Sequence, residues 1–210
     1  MVVAARGLTL EQFLALPETK PALEYADGEV RQKVAPRPRH SRLQYVLAYR
    51  FNAFAEPRRL AMAFPELRTT FAGASYVPDV AVFTWDRLPL DSSGELADEC
   101  REPPDIVIEI ISPGESAPAL ARRCQWYVAH GVRLAVLIDP RPRGIRVRVF
   151  RPGAAPLALD PAGQIDFGDV VPGFQIGVQE LFATLRPAGP QPDTARRRRP
   201  SSDRPTSSPP

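Results

Sequence analysis

Cysteine is nearly absent from this chain: Cys100 and Cys124 are the only two in 210 residues. Two thiols at that separation make neither a disulfide framework nor a metal-finger spacing, which excludes the small secreted scaffold and the cysteine-rich metal module. Long apolar runs are also lacking. No stretch approaches the ~20 apolar residues of a bilayer span, and the opening MVVAARGLTLEQF has no apolar core of the kind a secretory signal needs. The expectation is a cytoplasmic protein with reduced thiols and no membrane partner. Lysine is scarce, with only Lys20 and Lys33 against 25 arginines. Net charge is scarce too. Five arginines and two aspartates from Ala188 to Pro210 account for the whole formal charge of +3, leaving 22 basic and 22 acidic residues in the body. Composition therefore gives no global polyanion-binding signal, and any nucleic-acid footprint has to be a local patch.

What is abundant is proline, with 25 residues, and an ordered alternation of structure signals. The length suits one domain with a substantial core. Thr9 and Gln12 fit a capping box that opens a short helix ended by Pro17. Leu23-Glu24-Tyr25 and Glu29 to Val34 flank Asp27-Gly28, a hairpin turn signal. Pro36 and Pro38 break the chain before His40. From there Leu43, Val46, Leu47, Phe51 and Phe54 recur at helical spacing. Leu67–Phe71 and Tyr76–Trp85 read as two strands of a hairpin, and Asp86–Glu102 as a surface loop. Ser116 caps a helix with Pro118 in its first turn, stopped near Gly131 and carrying Arg123 and Tyr127 four residues apart on one face. Leu134–Ile138 is a fully apolar strand. Ile145–Val149 alternates strictly and reads as a strand near a sheet edge, its arginines on a solvated face. Short strands or turns then lead to a last helical turn at Gln179–Phe182. A domain over residues 1–187 and a disordered Pro/Ser/Arg-rich tail over 188–210 follow from the loss of apolar content there.

The run Ile106-Val107-Ile108-Glu109-Ile110-Ile111, bounded by Pro104-Asp105 and Ser112-Pro113-Gly114, reads as a strand buried on both faces. Strand, helix and strand from Ile106 to Ile138 make one parallel crossover. With hairpins upstream, the fold class is α/β (α+β): a mixed central sheet flanked by helices. A carboxylate inside such a strand has to be paired, protonated or metal-bound, so Glu109 needs partners. Asp79 enters a hydrophobic strand directly after Pro78, where it marks either a bulge or a site. Glu24 sits just before a turn, and an exposed strand carboxylate is its ordinary reading. His40, at a helix start, is ordinarily a surface or capping residue.

Taken together, these residues resemble the PD-(D/E)XK nuclease superfamily, and more closely the Uma-two family of restriction-type endonucleases. The resemblance is carried by Leu23–Val30, Pro38-Arg39-His40, Val77–Val82, Pro104–Pro113, Tyr127, Gly131-Val132 and Ile138-Asp139-Pro140. It covers roughly Leu8 to Phe182 and implies a restriction-endonuclease-like core that hydrolyses DNA phosphodiester bonds with magnesium, or manganese in its place. By resemblance the catalytic set is Glu24, Asp79, Glu109 and Arg123. The metal ligands would be Asp79, Glu109 and the backbone carbonyl of Ile110, with His40 and Tyr127 as accessory residues. Hard divalent cations take carboxylate oxygens, neutralise phosphate charge and lower the pKa of bound water.

The chain departs from that pattern at one place. The superfamily lysine usually stands two residues after the glutamate, and Ile111 is found there. In the Uma-two family it comes from the following helix, where Arg123 stands here; the aspartate that often precedes it by four is Ala119, and neither Lys20 nor Lys33 fits the motif. Arginine cannot deprotonate, although it orients phosphate and stabilises negative charge. Three readings stay open: an active DNA endonuclease, an impaired nuclease fold that binds nucleic acid or a protein, and a structural Glu109–Arg123 pair with no ion. A two-fold homodimer is an open assembly, as enzymes that cut both strands often pair in this way.

Overall fold

The computed structural model describes residues 2–141 and 146–186. In chain order the elements are β1 (Val2–Arg6), α1 (Leu10–Leu14), β2 (Leu23–Ala26), β3 (Glu29–Gln32), α2 (Pro38–Ala55), β4 (Ala61–Pro65), β5 (Thr69–Phe71), β6 (Ala74–Tyr76) and β7 (Val80–Thr84). There follow β8 (Ile106–Ile110), α3 (Ala117–Ala129), β9 (Leu134–Ile138), β10 (Val147–Phe150), β11 (Leu157–Leu159), β12 (Gln164–Asp166), β13 (Gln175–Gly177) and α4 (Val178–Ala183). The tail beyond residue 187, expected to be disordered, lies outside the described residues. Among those described, no helix is long and apolar enough to cross a membrane.

The central sheet has the order β11-β10-β9-β8-β7-β4. Only β8 and β9 pair in parallel, through α3 as crossover; the other neighbours are antiparallel. The expected mixed sheet is therefore present. The two middle strands are buried on both faces, as their unbroken Ile, Val and Leu runs require. On one face Ile106, Ile108 and Ile110 pack with Leu43, Leu47 and Phe51 of α2 and with Phe167 and Phe174 around the small β12-β13 sheet. On the other face Val107 and Ile111 pack with Leu120, Cys124 and Tyr127 of α3.

A second sheet, β1-β3-β2-β6-β5, stands beside it. Its β2–β3 turn is the expected Asp27-Gly28 pair, both at positive φ (53° and 75°), the backbone of a two-residue hairpin turn that matches strand twist. Two sequence expectations need correction. Leu67–Phe71 and Tyr76–Trp85 do not form one hairpin: β5 and β6 pair with each other in the second sheet, and the chain then crosses at Val77-Pro78-Asp79 into β7 of the central sheet. Pro38 does not break the chain but opens α2 at its first position, where a missing N–H costs nothing. Strands β1 and β4 lie in segments to which the sequence signals assign no element. By contrast, Ser116 caps α3 as expected, its side chain accepting from the Ala119 amide, and the Thr9–Gln12 capping box is complete.

Candidate active site

The crossing at Val77-Pro78-Asp79 is where the candidate residues meet. Strands β7 and β8 pair with Val80 opposite Ile108, so one step further Asp79 lies opposite Glu109. The Asp79 Oδ2 atom accepts the Ile110 backbone N–H at 2.7 Å. That N–H extends the ladder to a side chain, and the interruption by Pro78 is what frees Asp79 to reach it.

The β2–β3 hairpin supplies the next two groups. Glu24 is paired with Arg31, and the Lys33 amide continues the ladder to the Ala22 carbonyl at 2.9 Å. Alternation along β3 puts Lys33 on the face of Arg31, and therefore of Glu24. The Lys33 ammonium donates to Asp79 Oδ1 at 2.8 Å and to the Val77 carbonyl at 2.7 Å. Glu24 accepts the Val77 N–H at 3.1 Å and is gripped by both Arg123 guanidinium nitrogens, at 3.1 and 2.8 Å.

Two helices close the cluster. From α3, the Tyr127 hydroxyl donates to Glu109 Oε1 at 2.9 Å, while Arg123 approaches the same oxygen at 3.6 Å and lies 4.5 Å above the Tyr76 ring. From the first turn of α2, His40 Nδ1 pairs with the Ser112 hydroxyl at 2.9 Å. Its Nε2 sits 3.2 Å from Asp79 Oδ1 but off the line of a hydrogen bond. Gln44, one turn on, holds the Asp79 carbonyl at 2.9 Å.

All three carboxylates are buried, at 1–2% exposure, yet they titrate differently. Burial pushes Asp79 up, but the Lys33 charge and the His40 contact outweigh it and hold the carboxyl at about 2. Burial pushes Glu109 up as well, and there the neighbouring Asp79 and Glu24 charges help to raise it, to about 7, against Arg123 and Lys33. Burial would lower Lys33, yet Asp79, Glu109 and Glu24 keep it well above its ordinary value and hence protonated. His40 is likewise raised, by Asp79 against its burial. Two permanent cations thus face three carboxylates, and Glu109 is the one whose burial they do not offset. Such separation of environments is the usual mark of a reactive site.

The structure therefore brings Glu24, Asp79, Glu109, Arg123, His40 and Tyr127 into one cluster, with Ile110 contributing its N–H. Glu24 does not join the other two carboxylates directly; Arg123 holds it. The Glu109–Arg123 pair is present at 3.6 Å, and Arg123 also grips Glu24 at 3.1 and 2.8 Å. Sequence reasoning missed Lys33. Its one readable signal was alternation from Arg31, opposite Glu24, in a chain that otherwise uses arginine. Among the described residues no three His, Cys, Asp or Glu side chains are grouped to hold a metal ion. The donor chemistry still suits a hard divalent cation: Asp79 and Glu109 are adjacent buried carboxylates, and burial raises the second despite Arg123 and Lys33.

A family model described as "Putative restriction endonuclease", Uma2, matches residues 10–179. The chain belongs to this family. The Uma2 match takes in every residue of the cluster. A solved relative points the same way: the crystal structure of "a putative nuclease belonging to DUF820" from Anabaena variabilis ATCC 29413 superposes with a TM-score of 0.81 at 36% identity, covering 85% of this chain and 99% of that one. No curated protein matches the chain.

Proposed function

We propose that this Uma2 protein is a divalent-metal-dependent endonuclease that hydrolyses DNA phosphodiester bonds, with the cluster around Asp79 as its active site. The observation that carries this reading is the convergence onto one buried point of Lys33 just after β3, Asp79 just before β7 and Glu109 within β8. Asp79, Glu109 and the Ile110 carbonyl would hold magnesium or manganese. Such an ion supplies charge neutralisation at the phosphate and acidifies a bound water.

The chain's own groups have distinct tasks. Lys33 keeps Asp79 ionised and, being fully protonated, offers positive charge where a phosphate oxygen turns negative; it is not a base. Tyr127 fixes the rotamer of Glu109. Arg123 orients Glu24 bidentately, a geometry lysine cannot give. His40 and Gln44 set the position of Asp79 from α2. Supercoiled plasmid incubated with the purified chain and magnesium or manganese should be nicked, while chelator or Asp79→Ala should prevent it. Cleavage by Asp79→Ala at the wild-type rate overturns the site.

One observation favours a second reading, a nucleic-acid-binding module without catalysis: the Arg123 fork takes Glu24 away from the other two carboxylates. Plasmid retained by the wild type but left uncut with either metal would support it.

A further inference from the structure

Outside that cluster, three arginines converge on a cavity of about 440 Å³: Arg39 from the first turn of α2, Arg146 just before β10, and Arg186 after α4. Arg39 and Arg146 both donate to the Pro140 carbonyl, at 3.2 and 3.5 Å, so two guanidiniums share one neutral acceptor. Among the described residues none of the three pairs with a carboxylate. Asp139, the carboxylate whose field reaches Arg146, is taken bidentately by Arg141. The Nε of Arg146 is buried with no hydrogen-bond partner, and its guanidinium lies over the Phe182 ring. Burial lowers the Arg146 pKa, and the charges of Arg39 and Arg186 lower it further. Clustered like charges with an orphaned donor are costly to fold. An anion in the cavity offsets the repulsion among the three guanidiniums, and the guanidinium fork matches phosphate oxygens two at a time.

We propose that this cavity is a phosphate-binding site that holds a backbone phosphate of the nucleic acid strand cut at Asp79 and Glu109. The proposal rests on the nuclease reading for its choice of ligand. That choice comes from continuity: Arg39 also lines a second cavity, of about 410 Å³, with His40 and Ser112 of the active site. A strand lying across both cavities would place one phosphate on the arginines and another against His40, whose Nε2 is 3.2 Å from Asp79.

Binding of a labelled DNA duplex by the full chain, read by anisotropy in chelator over about 50–200 mM salt, tests it. Replacing Arg39, Arg146 and Arg186 together by Gln should weaken binding about tenfold at the low end and flatten the log K against log salt slope by about 1. The matching Lys triple keeps the charges and should keep the slope; melting temperatures of both triples check folding. An unchanged slope in the Gln triple overturns the site, as does a wild type that binds no duplex. Stabilisation by inorganic phosphate that disappears in the Gln triple, with the DNA slope unchanged, overturns the nucleic-acid assignment in favour of a small phosphate ligand. Cleavage plays no part in this readout. A chain that nicks plasmid but shows no slope change loses only this inference, and one that shows the slope change but never nicks loses only the nuclease reading.

Discussion

Two buried carboxylates stand four residues apart at opposite ends of β8, and they are treated in opposite ways. Asp105, fully buried, is closed off by fixed donors: the Thr84 N–H at 2.9 Å, the Thr84 hydroxyl at 3.0 Å and the Arg87 guanidinium at 2.6 Å. Arg133 adds a fourth group at 3.7 Å. Glu109 receives the Tyr127 hydroxyl at 2.9 Å and the Arg123 guanidinium at 3.6 Å, a cation it shares with Glu24 at 2.8 Å. The first arrangement answers the cost of burying a charge with protein groups alone; the second leaves that cost partly unanswered. Local violations of this kind gather at functional sites.

Substitutions at the two ends should therefore separate activity from stability. The largest effect expected is on cleavage: Lys33→Gln, measured by initial nicking rate, should lose at least about 100-fold, the scale of removing a preorganised charge from a transition state. Asp105→Asn should nick within about threefold of wild type while it remains folded. If both variants lose cleavage equally, the functional distinction between the two ends fails.

Stability should show the reverse order. Asp105→Ala strands the buried Thr84 N–H and hydroxyl and should cost about 3 kcal/mol, the range for orphaned buried donors, once the part-exposed Arg87 is discounted. In a domain of this size that lowers the melting temperature by roughly 6–12 °C. Glu109→Gln should behave differently with pH. Because folding raises the Glu109 pKa to about 7, its contribution to stability is complete below its unfolded value and is lost as pH rises through about 7. In chelator, wild type should lose stability relative to Glu109→Gln between about pH 5 and pH 8. Magnesium should raise the melting temperature of wild type and leave the variant unmoved. A gap between the two proteins that stays constant with pH would show that Glu109 is as satisfied as Asp105.

The ends also differ in how far the amino-acid sequence reveals them. Strands β8 and β9 and helix α3 were legible because their signals are local: unbroken branched apolar runs, a serine cap, a glycine stop. The Asp79–Glu109 juxtaposition was legible only through the family resemblance. The handover at Val77-Pro78-Asp79 was not, since two short strands that exchange partners between sheets look like one hairpin. Lys33 was hidden for a related reason. Alternation places it on the face of Glu24, but which way that face turns depends on how the second sheet docks on the first, 46 residues away at Asp79. The Arg123–Glu24 pair spans 99 residues and has no local signature at all.

The smallest effect expected is at Arg123. From the sequence, this arginine stands in the family's lysine position, and exchanging it for lysine would restore activity to an impaired enzyme. The geometry supports a different prediction, because an ammonium already reaches Asp79 from Lys33. Arg123→Lys loses one of two parallel hydrogen bonds to Glu24 and the stacking over Tyr76, and should cost about 1–2 kcal/mol, read by thermal unfolding. Nicking should fall by a few fold, as Glu24 is held less firmly. A rise in nicking instead would return the lysine's role to α3 and leave Lys33 as the partner that merely neutralises Asp79, making it the counterpart of Arg87 at the Asp105 end.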